Sequence, residues 1–391
     1  MPESKILVVG PSWAGDMVMA QSLFITLKKA QPDCQIDVLA PAWSFPLLDR
    51  MPEVRNAIAM PLSHGQFGLL DRIKLGKSLR ANNYQQAIVL PNSWKSALIP
   101  YFANIPIRTG YIGECRWGLL NDARKLDKTL LTMTVQRFVA LGLPNNPNCV
   151  GRVSDSVTRP IEADDAKNVG LRSANPTYAS GLLPPEYPIP KLVINQNQQE
   201  VVIDKFKLNA NCVGRVSDSV NRHLDADNHS STKILALCPG AEYGPAKRWP
   251  ASYYAEVAQH KINLGWQVWL FGSDKDKDAA AQINSAVSGA CLDFTGRTSL
   301  DEAVDLMSLV DVVVSNDSGL MHVAAALDKK TIALYGSSDP NFTPPLNTKA
   351  EVITLNLECS PCFKRECPLG HTRCLTDIKP QQVLDSIELN S

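Results

Sequence analysis

Residues Asp311 to Leu327, DVVVSNDSGLMHVAAAL, run from a valine-rich stretch through an Asn-Asp-Ser-Gly turn straight into an apolar, alanine-rich helix. An unbroken apolar strand of this kind is covered on both faces, which is the habit of strands in parallel sheets. A strand that turns directly into a helix places its turn at the carboxyl edge of such a sheet. The first amides of the helix are unpaired there, and the helix dipole favours an anion. The stretch reads as a cradle for a phosphate group or a nucleotide.

The rest of the chain supplies the sheet. In the first half, Ile6–Val9, Ile36–Leu39, Ala57–Ala59, Ala87–Leu90 and Arg108–Gly110 read as strands, and Met17–Lys29, Phe67–Ala81, Lys95–Ala103 and Thr132–Leu141 as helices. The second half repeats the alternation. Strands are expected at Ile234–Cys238, Gln267–Phe271, Leu292–Phe294, Val312–Ser315 and Thr331–Tyr335, with helices at Ser252–Leu264, Asp276–Ser288, Leu300–Leu309 and Ser318–Leu327. Alternation of this sort builds α/β layers. At 391 residues the chain exceeds one ordinary core. Two doubly wound, Rossmann-like domains with a cleft between them are the expected architecture, spanning 1–144 and 233–391.

Composition narrows the setting. No apolar run reaches the roughly 18 residues that span a bilayer, and MPESKILVVG has no basic segment followed by a hydrophobic core and cleavage site. A cytoplasmic location is therefore expected. Net charge is zero, yet residues 1–140 carry 16 Lys and Arg against 10 Asp and Glu, and residues 141–391 carry 23 against 29. A cationic first half suits an acidic partner or an anionic membrane surface, and uneven surface charge accounts for it equally well.

Between the halves lies a region of different character. Residues 148–157, NCVGRVSDSV, recur unchanged at 211–220. Solenoid repeats occur at least three times and vary between copies, so two perfect copies read as duplicated coding sequence instead. Together with the Pro-, Asn-, Ser- and Asp-rich composition around them, they mark 145–188 and 209–232 as surface excursions in a linker region, 145–232.

Four segments carry candidate chemistry. Gly10-Pro-Ser-Trp13-Ala-Gly15-Asp16 follows the first strand, but Asp16 and Met17 stand where a triphosphate-binding loop needs Lys and a hydroxyl. Asp16 reads either as a helix-terminal carboxylate that complements the dipole or as a proton acceptor. In LCPGAEYGPAKRWP, residues 237–250, Gly240, Gly244, Lys247 and Arg248 lie between strand and helix, where a lysine offsets the charge of a departing diphosphate without a metal. A Lys-Arg pair on a solvated face is the plainer reading. After the Asp311 strand, the amides of Ser318 and Gly319 suit phosphate, Asp317 suits a sugar hydroxyl, and His322 is either a site residue or a packed core histidine. Asp274-Lys-Asp276-Lys-Asp278 has the form of a magnesium or manganese site, but acidic residues are favoured at a helix start and the lysines oppose a divalent ion. Asp274 or Asp276, just past a strand's carboxyl end, remains a candidate for a nucleotide ribose. Last, Cys359, Cys362, Cys367 and Cys374 within CSPCFKRECPLGHTRC provide enough thiols for a structural zinc.

In combination, GPSWAGDMVM, PGAEYGPAKRWP and SNDSGLMH resemble the ADP-heptose lipopolysaccharide heptosyltransferases, most closely the heptosyltransferase II branch. The resemblance covers Ile6 to about Tyr335 apart from the two excursions. It implies a GT-B glycosyltransferase with the acceptor bound mainly by the first domain and ADP-heptose by the second. The implied reaction moves L-glycero-D-manno-heptose with inversion to the first heptose of a lipid-linked inner core at the inner membrane surface. Asp16 then matches the base, beside Trp13 and Gly15, and Lys247 the residue that stabilises departing ADP. No cofactor for catalysis and no nucleic acid partner are implied. Transfer of the first or third heptose, a sugar-nucleotide epimerase of the same fold, and a non-enzymatic nucleotide-sugar binder are the alternatives.

Overall fold

The computed structural model describes residues 4–62, 66–144, 186–208 and 232–389; both copies of the ten-residue repeat lie outside them. The chain divides into two compact units, Met1–Lys191 with Asn341–Thr343, and Leu192–Pro340 with Pro344–Ser391.

In the first unit the elements run β1 (Lys5–Val9), α1 (Ala14–Ala30), β2 (Gln35–Ala40), α2 (Phe45–Leu48), β3 (Val54–Ala59), α3 (Leu69–Ser78), β4 (Gln86–Val89), α4 (Leu98–Phe102), β5 (Ile107–Tyr111), β6 (Asp122–Arg124) and α5 (Thr134–Gly142). All strand pairs are parallel, in the order β3-β2-β1-β4-β5-β6. The direction of winding reverses between β1 and β4, so the loops leaving those two strands part and open a crevice at their carboxyl ends. Every predicted strand is present. The sequence reading missed β6, whose polar Asp-Ala-Arg bears no apolar signal and is held at the sheet edge by Thr109 and by Arg124 bonding Asp122 and two carbonyls of α5 and its end.

Helix α1 is buried over most of its circumference because it also supports the returning chain. Gln21, 1% exposed, grips Lys191 from both sides: its Nε2 donates to the Lys191 carbonyl (2.8 Å) and its Oε1 accepts the Lys191 amide (2.9 Å). Ser22 donates to the Pro188 carbonyl at 2.6 Å, and the Tyr187 hydroxyl meets Met133 Sδ at 3.3 Å. The expected excursion 145–188 therefore extends too far. Its last residues belong to the packed unit, because an apolar Tyr-Pro-Ile-Pro stretch has a helix to lie on.

The second unit contains α6 (Gln196–Lys205), β7 (Ile234–Cys238), α7 (Ala251–Asn263), β8 (Gln267–Leu270), α8 (Lys277–Ala286), β9 (Leu292–Asp293), α9 (Leu300–Met307), β10 (Val312–Asn316), α10 (Gly319–Ala326), β11 (Lys330–Leu334), β12 (Ala350–Ile353), α11 (Arg373–Thr376) and α12 (Pro380–Glu388). Its parallel sheet has the order β12-β11-β10-β7-β8-β9, with the reversal between β10 and β7. Trp249, Tyr254, Val257 and Leu270 pack with Val383, Leu384 and Ile387 of α12, which closes one face of the core. The start of α12 is fixed by Gln382 accepting the Lys379 amide at 2.8 Å and by Pro380 in the first turn.

The grip of Gln21 on Lys191 yields the first prediction. Gln21→Ala leaves an amide and a carbonyl without protein partners, so unfolding in denaturant should cost about 1–3 kcal/mol less than in the wild type. An unchanged midpoint and slope would show that the two bonds contribute nothing.

Candidate active site

In the second unit, the end of β10 organises everything around it. Asn316 is fully buried and uses all its capacity: Oδ1 accepts from the Trp249 amide (3.0 Å) and the Tyr254 hydroxyl (3.1 Å), while Nδ2 donates to the carbonyls of Pro239 (2.7 Å) and Gly240 (3.4 Å). One side chain thus pins both ends of the loop that leaves β7. Sequence reasoning placed Asn316 in the motif but gave it no role. A polar amide at the end of a fully buried strand was the available signal, since a buried amide is kept only where its bonds are satisfied.

The pinned loop carries Lys247 on a short 3-10 turn, Pro245–Lys247, and its ammonium forms an ion pair with the carboxylate of Asp317. Both are sheltered, with side-chain exposures of 18% and 6%. Next, Ser318 caps α10 in an extended conformation without a side-chain bond to the first turn, while its hydroxyl lies 3.1 Å from that of Ser315. The structure so brings Lys247, Asp317, Ser318 and Gly319 together, a cation beside a helix N-terminus. His322 is one turn further and 4% exposed. Burial lowers its pKa to about 4, against an upward pull from Asp317 and with a further push from Lys247. Its two readings merge: it is a packed, neutral imidazole that lies within electrostatic reach of the ion pair.

Gly240 allows a close approach that no other residue permits, since a Cβ there would fall 2.4 Å from the Asp276 carboxylate. Asp276 is buried and accepts from the amide (2.9 Å) and hydroxyl (2.8 Å) of Ser273, a cap at the carboxyl end of β8. Arg248, expected to contact substrate, turns instead toward Asp276 (3.5 Å) and the Ala241 carbonyl (3.4 Å). Asp274 stays at the rim, its side chain 79% exposed and paired with Lys277 at 2.6 Å. Lys275 pairs with Glu242. Two members of the acidic run are therefore engaged, Asp274 by Lys277 and Asp276 by its cap.

Gly244 lies against residues 359–374: a Cβ there would meet the Arg365 carbonyl oxygen at 2.5 Å. Cys359, Cys362, Cys367 and Cys374 are each half-buried and free. Cys374 is held above its ordinary pKa by burial and then by the other three sulfurs, whereas Cys367 is lowered by backbone amides, the Thr372 amide first. Among the described residues no group of three or more His, Cys, Asp or Glu side chains is placed to hold a metal ion. The segment has other attachments as well: Cys374 lies against Gly336 at the end of β11, and Cys367 accepts from its own turn at Thr372.

The first unit holds a cavity of about 1360 Å³ at the carboxyl ends of β1 to β5. Ser12, Trp13 and Asp16 reach it from the start of α1, Trp43 from the loop after β2, Trp94 and Lys95 from the loop after β4, and Glu114 from beyond β5. Trp13 is the N-cap residue and Asp16 lies two positions inside the first turn, so Asp16 is not the cap residue. Trp13, Trp43, Phe67 and Trp94 are all 40–44% exposed, and the rings of Phe67 and Trp94 stand 5.0 Å apart. Arg72 is 5% exposed and spends its guanidinium on the carbonyls of Gln66, Phe67 and Lys95. Lys95 has no ion-pair partner among the described residues. Broad aromatic faces with a few cations suit a sugar ring bearing anionic groups. Trp43, Phe67, Trp94 and Lys95 were not foreseen, although two of the tryptophans stand just past the ends of predicted strands.

Comparison with known proteins gives this arrangement a context. The sequence model of glycosyltransferase family 9 (heptosyltransferase) matches residues 72–150 and 187–373. Lipopolysaccharide heptosyltransferase 2 of Salmonella typhimurium is 45% identical over 387 residues, 98% of this chain and 97% of that protein. Its Escherichia coli counterpart is 43% identical over 391 residues, 99% and 98% of the two chains. The solved structure of E. coli ADP-heptose lipopolysaccharide heptosyltransferase II superposes with a TM-score of 0.74 at 41% identity, covering 98% of this chain and 97% of that one.

Burial of neutral His322 predicts a pH dependence. The unfolded chain takes up the proton near pH 6.5 and the folded one only near 4, so the unfolded state binds more protons in between. Stability from this group is complete above about pH 6.5 and is lost as the pH falls toward 4. His322→Gln should flatten that part of the stability profile; a parallel profile would remove His322 as the source.

Proposed function

Because the chain belongs to glycosyltransferase family 9, the heptosyltransferases, and shares the α/β GT-B fold of their structures, we propose that it transfers heptose from ADP-heptose to the first heptose of a lipopolysaccharide inner core. The observation that carries the donor side is the sheltered Lys247–Asp317 pair beside the N-terminus of α10. A sugar diphosphate breaks with negative charge developing on the leaving phosphate, and a fixed cation next to unpaired amides stabilises that charge more in the transition state than before it.

On the acceptor side, Asp16 is the base. An acceptor hydroxyl attacks the anomeric carbon as its proton passes to the Asp16 carboxylate; the bond to the diphosphate breaks, and its electron pair leaves with ADP. Attack opposite the leaving group inverts the anomeric centre. Trp13, Trp43 and Trp94 offer faces for the acceptor sugars, and Lys95 offers a charge for its anionic groups. Catalysis needs no metal in this reading, because a lysine supplies the charge and Asp274 and Asp276 are engaged elsewhere.

The acceptor is lipid-linked, so the enzyme works at the cytoplasmic face of the inner membrane as a peripheral protein. No helix among the described residues is long and apolar enough to cross a membrane. Support comes from the cationic first half and from exposed Leu70 and Trp117 in the unit that holds the acceptor cavity.

Steady-state kinetics with ADP-heptose and heptosylated acceptor test the assignment. Asp16→Asn should lower kcat on the order of 100-fold or more with ADP affinity kept, as for a base, whereas Lys247→Ala should lower kcat and weaken ADP together. Equal loss of ADP affinity in Asp16→Asn, or unaltered kinetics in Lys247→Ala, would reassign them. Wild-type activity should survive EDTA, and a loss restored by magnesium would return the Asp274–Asp278 run to the reaction. Thermal stabilisation by ADP but not UDP is expected as well.

A further inference from the structure

Residues 359–374 have no part in the reaction described so far, yet they are bonded to the loop that carries Lys247. The Tyr243 hydroxyl donates to the Phe363 carbonyl at 2.9 Å, and the Ala246 amide donates to the Arg365 carbonyl at 3.0 Å. Gly244 lies between these two bonds, and the missing side chain is what lets the strands of chain touch. From below, the segment stands on the end of β11: the Phe363 amide donates to the Ser337 carbonyl at 2.7 Å, and the Ser360 hydroxyl bonds the Gly336 carbonyl. The cysteine-rich stretch is thus fastened between the carboxyl edge of the sheet and the lysine loop.

This places a second cation at the site. The Tyr243 ring has the Lys247 ammonium 5.1 Å from its centroid and the Arg365 guanidinium 5.4 Å from it. The two differ in one respect. Lys247 is neutralised by Asp317, while Arg365 is exposed and has no carboxylate partner among the described residues. An exposed guanidinium with no counter-ion of its own is open to an anion held beside the Tyr243 ring. A guanidinium also offers paired donors in the geometry that phosphate oxygens accept.

We propose that Arg365 is a diphosphate-binding residue of the donor site, presented by the cysteine-rich segment and aligned with Lys247 by the ring of Tyr243. The inference rests on the donor reading given above. Arg365 contributes the charge that Asp317 withdraws from Lys247. The segment then acts as a wall of the donor site that a donor lacking one phosphate fails to engage fully.

Calorimetric titration of the full-length wild type, Arg365→Ala and Arg365→Lys with ADP, AMP and adenosine tests this. Arg365→Ala should bind ADP about tenfold more weakly. Adenosine affinity should stay at the wild-type value, AMP should change less than ADP, and Arg365→Lys should fall between the other two proteins. Since the variant keeps the backbone bonds of residue 365, its thermal midpoint should match that of the wild type. ADP binding equal to wild type, or equal losses for ADP and adenosine, would overturn the assignment of Arg365 alone. A wild type that does not bind ADP would overturn the donor reading as well, so the two failures are told apart.

Discussion

The second unit depends on the four hydrogen bonds of Asn316. Strand β10 ends in a residue whose amide is buried where water cannot compensate it, so all four bonds must form together or the site loses more than any one of them is worth. The loop after β7 is long, polar and glycine-containing, and such loops have little reason to settle on one path. Anchoring it at Pro239 and Gly240 on one side and at Trp249 on the other removes that freedom. Lys247 meets Asp317 because the residue before Asp317 holds both ends of the loop that carries Lys247.

The ion pair makes a compromise visible. Lys247 is sheltered from solvent, and the Asp317 carboxylate supplies the counter-charge that holds it there. In the donor reading proposed above, the same carboxylate would repel the phosphate that Lys247 meets. An arrangement of this kind would keep the cation in place before a donor arrives and leave part of the anion's charge to other groups, such as the α10 amides. His322 fits the same balance. As a neutral ring it fills the space behind the pair without adding a third charge to a sheltered volume.

Much of this was legible in the sequence, and what was not has a common cause. Local signals sufficed for every strand but β6 and β12, for the Asn-Asp-Ser-Gly turn and for the glycine-bearing lysine loop, because each is a short pattern with its own physical requirement. The fate of Arg248 was not legible, since its partner Asp276 comes from a different strand's loop and reads in isolation as one more helix-start acid. Likewise Trp43, Phe67 and Trp94 are far apart in sequence and become one lining only when the crevice of the first sheet gathers the loops after β2, β3 and β4. The cysteine-rich segment shows the same limit. The spacing of its thiols is a local pattern, whereas its hydrogen bonds to Gly336, Ser337, Tyr243 and Ala246 come from parts of the chain far away in sequence.

Glycines mark where those nonlocal attachments converge. At Gly240 the missing Cβ admits the Asp276 carboxylate, and at Gly244 it admits the Arg365 carbonyl, so two different segments are drawn against opposite ends of one five-residue stretch. Between them stand Ala241, Glu242 and Tyr243. A side chain at either glycine would push away an oxygen of a fixed group, and neither backbone nor a buried cap yields cheaply. The lysine loop is consequently determined less by its own propensities than by what is packed against it: Asn316 at both of its ends, Asp276 beneath and the cysteine-rich segment alongside. Its specificity for one path is a property of the sheet's carboxyl edge as a whole, and a substitution anywhere along that edge reaches Lys247 through contacts rather than through sequence.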